Sequence, residues 1–357
     1  MFETFEFETL TPVGASLYFA LALGVAFGLL AEITRFCLRR AIVGADRRQA
    51  AGTWLTALAV AVAGTGLAVW FDLISFADHR LSVSELPILA LLVGGLAFGV
   101  GMVLTRGCAS RLTVLTGSGN LRALFVIVLF AITAHATLKG VLAPIRTTLG
   151  QVTLNVGEYG SLSALPGGAP VWSTLIALAA LAIALRSGIR PGQMLLAALL
   201  GALVPLAWVG TGYVLFDEFD PIAMESLSFT SPSAETLFYT IASTAISAGF
   251  GPGLFAGAIL GAALSALIFG RFQWQSFESP RQTGRYALGA VLMGLGGVLA
   301  GGCTLGAGLS GIPTLGLSAF VAILAIVAGA AIAGRLLNET PSVSGGSQAT
   351  PTPQPAE

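Results

Sequence analysis

Long apolar runs separated by short polar or charged segments occupy most of this chain. A bilayer core about 30 Å thick requires about 20 apolar residues of helix, so a run of that length predicts a membrane-spanning helix. Ten such runs lie near residues 14–34, 51–71, 86–105, 123–145, 171–186, 192–216, 234–248, 253–270, 286–301 and 314–334. The run at 234–248 is short, and glycine interrupts several others. The pattern predicts an all-α polytopic membrane protein with broken helices.

The charged segments between the runs predict the orientation. Residues 35–48 hold five arginines against one aspartate, which the positive-inside rule places in the cytoplasm. The acidic N-terminus and the loops near Asp72 and 217–220 then face outward. Ten full spans would put the basic loop 271–285 outside, unless that loop violates the rule. We therefore predict about nine spans and one weak run that enters and leaves on the same side, with the N-terminus outside and the C-terminus in the cytoplasm.

Composition excludes several classes of protein. Hydrophobic residues form 55% of the chain, charged residues form 10%, and the mean hydropathy is +0.87. A soluble domain carries about 25% charged residues, and the chain offers no basic surface for a nucleic acid. The first ten residues are acidic where a secretory signal would be basic, so the first run is interpreted as a permanent span. Residues 336–357, rich in Pro, Ser, Thr and Gln, predict a disordered tail.

Two segments rich in glycine and cysteine repeat one frame. Residues 94–108 and 289–303 share G-x4-G-x-G-x-V-L-x-x-G-C, and L-[ST]-G follows each of them. A fainter copy, F-G-x5-T-R-x-C, occurs at 27–37 and at 98–108. Duplicated halves joined by a connector are typical of transporters, and an odd number of connecting spans inverts one half against the other. The predicted divisions are a first half at 1–146, a connector with additional spans at 147–232, a second half at 233–335 and the tail at 336–357.

The residues after Cys108 and Cys303 are small and polar, and they interrupt apolar runs. Irregular backbone at membrane depth is tolerated where it is buried in protein or lines a water-filled cavity. A broken helix also presents N–H groups and a positive dipole end, which suit an anion. Gly107 and Gly302 would allow close approach of a ligand to the backbone, beside Thr304. The alternative is a pair of ordinary loops at the membrane surface.

Arginines precede two of the cysteines by two residues. Arg35 stands before Cys37, and Arg106 stands before Cys108. These side chains would raise the positive potential of an anion path, or they are cytoplasmic anchors that obey the positive-inside rule. Glu32 shares a helical face with Arg35, and we interpret it as a neutralising partner of an arginine.

Three cysteines and two histidines leave little material for other chemistry. Cys37, Cys108 and Cys303 are too few and too scattered for a disulfide framework. A cysteine in a membrane helix usually packs as a small hydrophobe, but these stand in repeated frames, so we predict that they line a substrate path. The polarisable sulfur of a thiol suits a sulfur-bearing ligand. No catalytic residue, metal site or cofactor is predicted.

Three segments resemble the YeeE/YedE family of thiosulfate transporters. They read GVAFGLLAEITRFCLRRAIVG, GMVLTRGCASRLTVLTGSGN and GLGGVLAGGCTLGAGLSGIPTLGLSAF, and the resemblance extends to about residue 335. It implies an hourglass-shaped helical protein of the bacterial inner membrane in which Cys37, Cys108 and Cys303 contact passing thiosulfate. It also implies a cytosolic sulfur-carrier protein as a partner. Some relatives are linked to selenium or to other sulfur species.

The sequence leaves three functions open. The main prediction is import of a sulfur oxyanion, thiosulfate first, along a path lined by cysteines and helix N-termini. A transporter of copper or zinc would use the three cysteines and His135 as soft ligands, although no CxxC or HxxxH spacing supports it. A membrane-embedded thiol enzyme would need a His or Asp beside a cysteine, and none lies within local reach along the chain.

Overall fold

The computed structural model describes residues 11–337 except 78, 80, 82, 83 and 219. Over these residues the fold is helical, apart from one antiparallel pair of short strands, β1 (Glu85–Leu86) and β2 (Leu154–Asn155). The helices are α1 (Pro12–Thr34), α2 (Leu38–Val43), α3 (Arg47–Trp70), α4 (Ile88–Leu104), α5 (Ala109–Gly117), α6 (Leu121–Lys139), α7 (Ala143–Gly150), α8 (Gly168–Leu185), α9 (Pro191–Val209), α10 (Thr230–Ile241), α11 (Phe250–Ile268), α12 (Pro280–Leu299) and α13 (Leu317–Leu336). The predicted tail lies outside the described residues from position 338 onward.

Nine segments within the described part of the chain are long and apolar enough to cross a membrane, which confirms the predicted number. The weak run falls on α10, whose 12 residues are too few to cross a bilayer core. Three of the nine segments are interrupted, between α1 and α2, between α4 and α5, and between α12 and a π-helical turn at Thr304–Leu309. A fourth segment joins α9 to a π-helical turn at Gly210–Val214 without interruption. Each of the three interruptions lies at a cysteine. Those at Cys108 and Cys303 agree with the interruptions predicted from the sequence, and the one at Cys37 is additional.

Glycines bring the two helices that carry the repeated frame into backbone contact. A Cβ at Gly101 of α4 would lie 2.6 Å from the carbonyl oxygen of Gly289, and one at Gly296 of α12 would lie 2.6 Å from that of Gly94. The two helices therefore run in opposite directions and approach as small residues permit. The inverted repeat and the divisions at 146 and 232 remain predictions.

A second glycine contact joins the first long helix to α11. Gly24 and Gly28 of α1 meet the backbone at Leu254 and Ala258 of α11, so the two helices run in the same direction. Their C-terminal ends therefore lie together. Elsewhere α3 packs against α8 and α9, which places part of the predicted connector beside a helix of the first half.

Candidate substrate path

Each cysteine follows a helix end of the same design. Arg35, Arg106 and Gly301, each two residues before a cysteine, have φ angles of 51°, 60° and 72°. The backbone N–H of each donates to the carbonyl three residues earlier, at 3.2 Å in all three cases. This is the hydrogen bond of a Schellman-type helix end, in which a left-handed residue stops the helix and turns the chain.

The cysteine then precedes a new helical segment. Cys37 is the residue before α2, Cys108 the residue before α5, and Cys303 the residue before the π-helical turn Thr304–Leu309. Their exposed fractions are 7%, 1% and 0%. The predicted breaks therefore hold all three thiols inside the protein.

Two of the thiols are in contact. The Sγ atoms of Cys37 and Cys108 lie 4.0 Å apart, although the residues are far apart in the sequence. The Oγ of Ser110 lies 3.3 Å from the Cys108 sulfur, and the turn that begins at Thr304 packs against α5, which follows Cys108. Because Thr304 follows Cys303 directly, segments from α1, α4 and α12 meet at one buried place.

The other predicted site residues shape the helix ends. The side chains of Arg35 and Arg106 are exposed and lie outside the buried thiol pair. The carbonyl of Gly107 accepts a 3.0 Å hydrogen bond from the hydroxyl of Thr105. At Gly302 a Cβ would lie 2.8 Å from the backbone nitrogen of Ala307, so the turn requires a residue without a side chain there.

The sequence did not indicate that a cluster of charged residues lies beside the thiols. Glu32 is buried, and its carboxylate accepts hydrogen bonds from the Oγ of Ser265 at 2.8 Å and from Nη1 of Arg271 at 3.0 Å. Glu32 thus neutralises an arginine, as expected, but that arginine follows α11. Arg111 lies in electrostatic range of Glu32, Arg35 and both thiols. The spacing of Glu32 and Arg35 along the chain indicated that they share a helical face. No local spacing indicated that Arg271 is the partner of Glu32.

A cavity of about 670 Å³ enters the protein near Asp72 and ends against the π-helical turn. Ser228, Ser231, Ser310 and Gly306 are among the residues that line it. Among the described residues that line this cavity there is no arginine or lysine. The cavity approaches the segment after Cys303 but stops short of the thiol pair.

The geometry gives no support to the metal alternative. Over the part of the chain that the structure describes, no group of three His, Cys, Asp or Glu side chains converges as a metal ion would require. His135 stacks instead on the ring of Phe238, with ring centroids 4.9 Å apart. The residues that converge are thiols, hydroxyls and guanidinium groups, which suit an anion with a sulfur end.

Comparison with known proteins agrees with that chemistry. A family model described as "Sulphur transport" matches residues 33–332, so the chain belongs to this family and the resemblance inferred from the sequence is confirmed. The chain is 26% identical over 342 residues to a protein of Spirochaeta thermophila named thiosulfate transporter TsuA, covering 87% of this chain and 95% of the relative. It is also 26% identical over 314 residues to an Escherichia coli protein of the same name, covering 80% and 84%.

Proposed function

We propose that this member of the sulphur transport family imports thiosulfate across a bacterial inner membrane, with its N-terminus outside and its C-terminus in the cytoplasm. The names of its two relatives support the substrate. The nine candidate spans of the described chain support opposite sides for the two ends. Under this orientation the 670 Å³ cavity opens outward, because Asp72 at its lining belongs to a loop predicted to lie outside.

The contact between Cys37 and Cys108 is the observation that carries the proposal. Two buried thiols 4.0 Å apart present polarisable sulfur and weak S–H donors at a break in two helices. Thiosulfate has a terminal sulfur that matches those thiols and charged oxygens that match hydroxyl and N–H donors. The path proposed here runs from the cavity past Thr304 and Cys303 to this pair.

Transport in this direction opposes the membrane potential. Moving a dianion inward against 100 mV costs about 4.6 kcal/mol, at about 2.3 kcal/mol per charge. Rapid consumption of the imported sulfur would offset that cost, so we propose a cytosolic sulfur-carrier protein as the acceptor. The chain itself supplies the passage and performs no covalent chemistry in this proposal.

Uptake of radiolabelled thiosulfate into proteoliposomes tests the proposal, with labelled copper as the competing substrate. We expect thiosulfate to enter and copper to stay outside. Cys108→Ala and Cys303→Ala should each lower uptake by more than about tenfold, equivalent to about 1.4 kcal/mol, because thiols that act in series cannot replace one another. Cys→Ser variants keep a hydroxyl donor of similar size, so an equal loss in them would assign the role to sulfur.

Protein abundance provides the control for these variants. Cys→Ala removes little volume, so its packing cost should stay well below the about 2–5 kcal/mol of large-to-small changes in a core. Normal uptake in the alanine variants at matched abundance would contradict the thiol path. Reporter fusions at the two chain ends test the orientation, and finding both ends on one side would refute it.

A further inference from the structure

Arg111 brings a positive charge to the buried thiol pair. It is the third residue of α5, which begins just after Cys108, and its side chain is partly buried. Its Nη1 donates a long hydrogen bond of 3.5 Å to the carbonyl oxygen of Ala31, near the end of α1. The same carbonyl oxygen accepts a 3.1 Å hydrogen bond from the backbone N–H of Phe36, the residue before Cys37, so the guanidinium lies at the turn that carries this thiol and within electrostatic range of both Cys37 and Cys108. One turn of helix thus carries a thiol and a cation to the same place.

The nearest carboxylate is engaged elsewhere. Glu32 accepts hydrogen bonds from Arg271 at 3.0 Å and from Ser265 at 2.8 Å. Within the described chain, no carboxylate forms an ion pair with Arg111. A guanidinium has five N–H donors, and one long bond to a carbonyl leaves most of them available to a ligand.

The cluster as a whole carries excess positive charge. Arg271 is the ion-pair partner of Glu32, which leaves the positive charge of Arg111 uncompensated. The neighbouring Arg40 does not add to this excess, because it is paired with Asp46. An uncompensated positive charge complements an anion.

We infer that Arg111 binds the oxygens of the sulfur oxyanion while the terminal sulfur of that anion lies against Cys37 and Cys108. This assignment rests on the proposed transport of thiosulfate and adds the group that selects an anion at the thiol pair. A guanidinium matches a pair of oxygens with two parallel N–H donors. The outer cavity lacks such a cation among its described residues, so the charge requirement is met at this inner cluster.

Concentration-dependent uptake of thiosulfate into proteoliposomes tests the inference with Arg111→Gln, Arg111→Lys and Arg122→Gln. Arg111→Gln should raise the half-saturation concentration by at least about tenfold, because a unit charge close to a partly buried dianion is removed. Arg111→Lys keeps the charge and should raise it less. Arg122 is a matched control: it is partly buried in the next helix and contacts Gln275 and Glu278 rather than the thiols, so we expect a change within about twofold.

A second substitution separates charge from packing. Glu32→Gln removes the one carboxylate of the cluster, and its amide oxygen can still accept from Arg271 and Ser265. Combined with Arg111→Gln, it restores the charge excess of the parent, so uptake should recover by at least about threefold over Arg111→Gln alone. A role of Arg111 in packing alone would give no such recovery. Glu32→Gln by itself should lower the half-saturation concentration.

Each outcome decides the inference. An unchanged half-saturation concentration in Arg111→Gln overturns it, and so does a double variant no better than Arg111→Gln. Should Arg111→Gln fail to reach the membrane, Glu32→Gln alone decides, because an unchanged value in that variant also overturns it. If the Arg111 variants contradict this inference while Cys108→Ala still lowers thiosulfate uptake, the transport proposal stands. A parent protein without thiosulfate uptake refutes that proposal itself.

Discussion

The junctions at Cys108 and Cys303 share a backbone design and differ in charge. In both, a long helix ends at a left-handed residue and the cysteine precedes a new helical segment. The left-handed residue is Arg106 at the first junction and Gly301 at the second. The turn Thr304–Leu309 after the second junction is buried throughout and uncharged. The break in the helix therefore positions each thiol, and the surrounding residues set the potential that the thiol experiences.

This difference gives the proposed path a direction. The outer cavity ends at Gly306 and Ser310, beside the uncharged junction, where hydroxyls and backbone groups are the donors. The thiol pair of Cys37 and Cys108 lies beside the guanidinium of Arg111. On the proposed path an anion that moves inward would pass from a cavity that is lined in part by Asp72 and Glu225, with no arginine or lysine among its described residues, to a cation, which would lower its energy at the deepest contact.

The strongest test of the shared backbone concerns the glycines of the repeated frame. Gly101 and Gly296 occupy equivalent positions of the frame, and a Cβ at either would lie 2.6 Å from a backbone oxygen of the other helix. Gly101→Ala and Gly296→Ala should each lower the free energy of unfolding by about 1–3 kcal/mol, the usual cost of overpacking. Thermal unfolding in detergent measures this loss.

Gly284→Ala is the matched control for both glycine variants. It lies in α12 as well, but nothing is within 4 Å of the position that its Cβ would take. Alanine there should stabilise the helix by up to about 1 kcal/mol, because glycine is a poor helix former. Tolerance of alanine at one frame glycine and intolerance at the other would break the structural equivalence of the two junctions.

The left-handed residues test the difference between the junctions. Gly301→Ala forces a side chain into a left-handed conformation and should cost about 1–2 kcal/mol, although nothing obstructs its Cβ. Arg106→Gly should act in the opposite sense and stabilise by about 1 kcal/mol, because glycine relieves the strain that arginine bears at φ 60°. Thermal unfolding of both variants checks the signs. Equal unfolding temperatures for Gly301→Ala and the parent would contradict this account.

Apolar run lengths gave ten candidate spans, because the thickness of a bilayer fixes the length of a crossing helix, and the charges of the loops reduced the prediction to the nine that the structure shows among its described residues. The ends of helices were less predictable. The structure begins α3 at Arg47, whereas the apolar run begins at 51, since the helix continues beyond its apolar part. Glycine at 301 signals a left-handed helix end, but arginine at 35 and 106 does not, because L-residues with side chains avoid that conformation.

The sequence singled out the cysteines of the candidate site but not its charged contacts, and the role of those cysteines in a substrate path stays a prediction. The repeated frames pointed to the three thiols, and the structure buries all of them. The contacts of Glu32 with Ser265 and Arg271 join residues more than 200 positions apart, and they depend on the parallel packing of α1 with α11. No local periodicity encodes such a pairing.

The smallest expected effect concerns the ion pair between Arg40 and Asp46. Asp46 lies between α2 and α3. The guanidinium of Arg40 donates hydrogen bonds to the Asp46 carboxylate, and these hold the pKa of Asp46 below the ordinary value of 3.8. The depressed pKa means that the pair stabilises the folded protein above the unfolded-state pKa and that this contribution is lost as the pH falls through the lower folded-state pKa.

Asp46→Asn should therefore lower the free energy of unfolding at neutral pH by less than about 0.5 kcal/mol, because the pair is partly exposed and screened by solvent. The difference from the parent should vanish at pH values well below 3.8, where the parent carboxyl is protonated as well. Unfolding temperatures across this pH range measure it, and a difference that persists in acid would contradict the ion-pair account. Thiosulfate uptake should stay within about twofold of the parent. A larger change would show that Arg40, once freed from Asp46, adds to the charge excess at the thiols, and the charged side of the path would then extend beyond the Arg111 cluster.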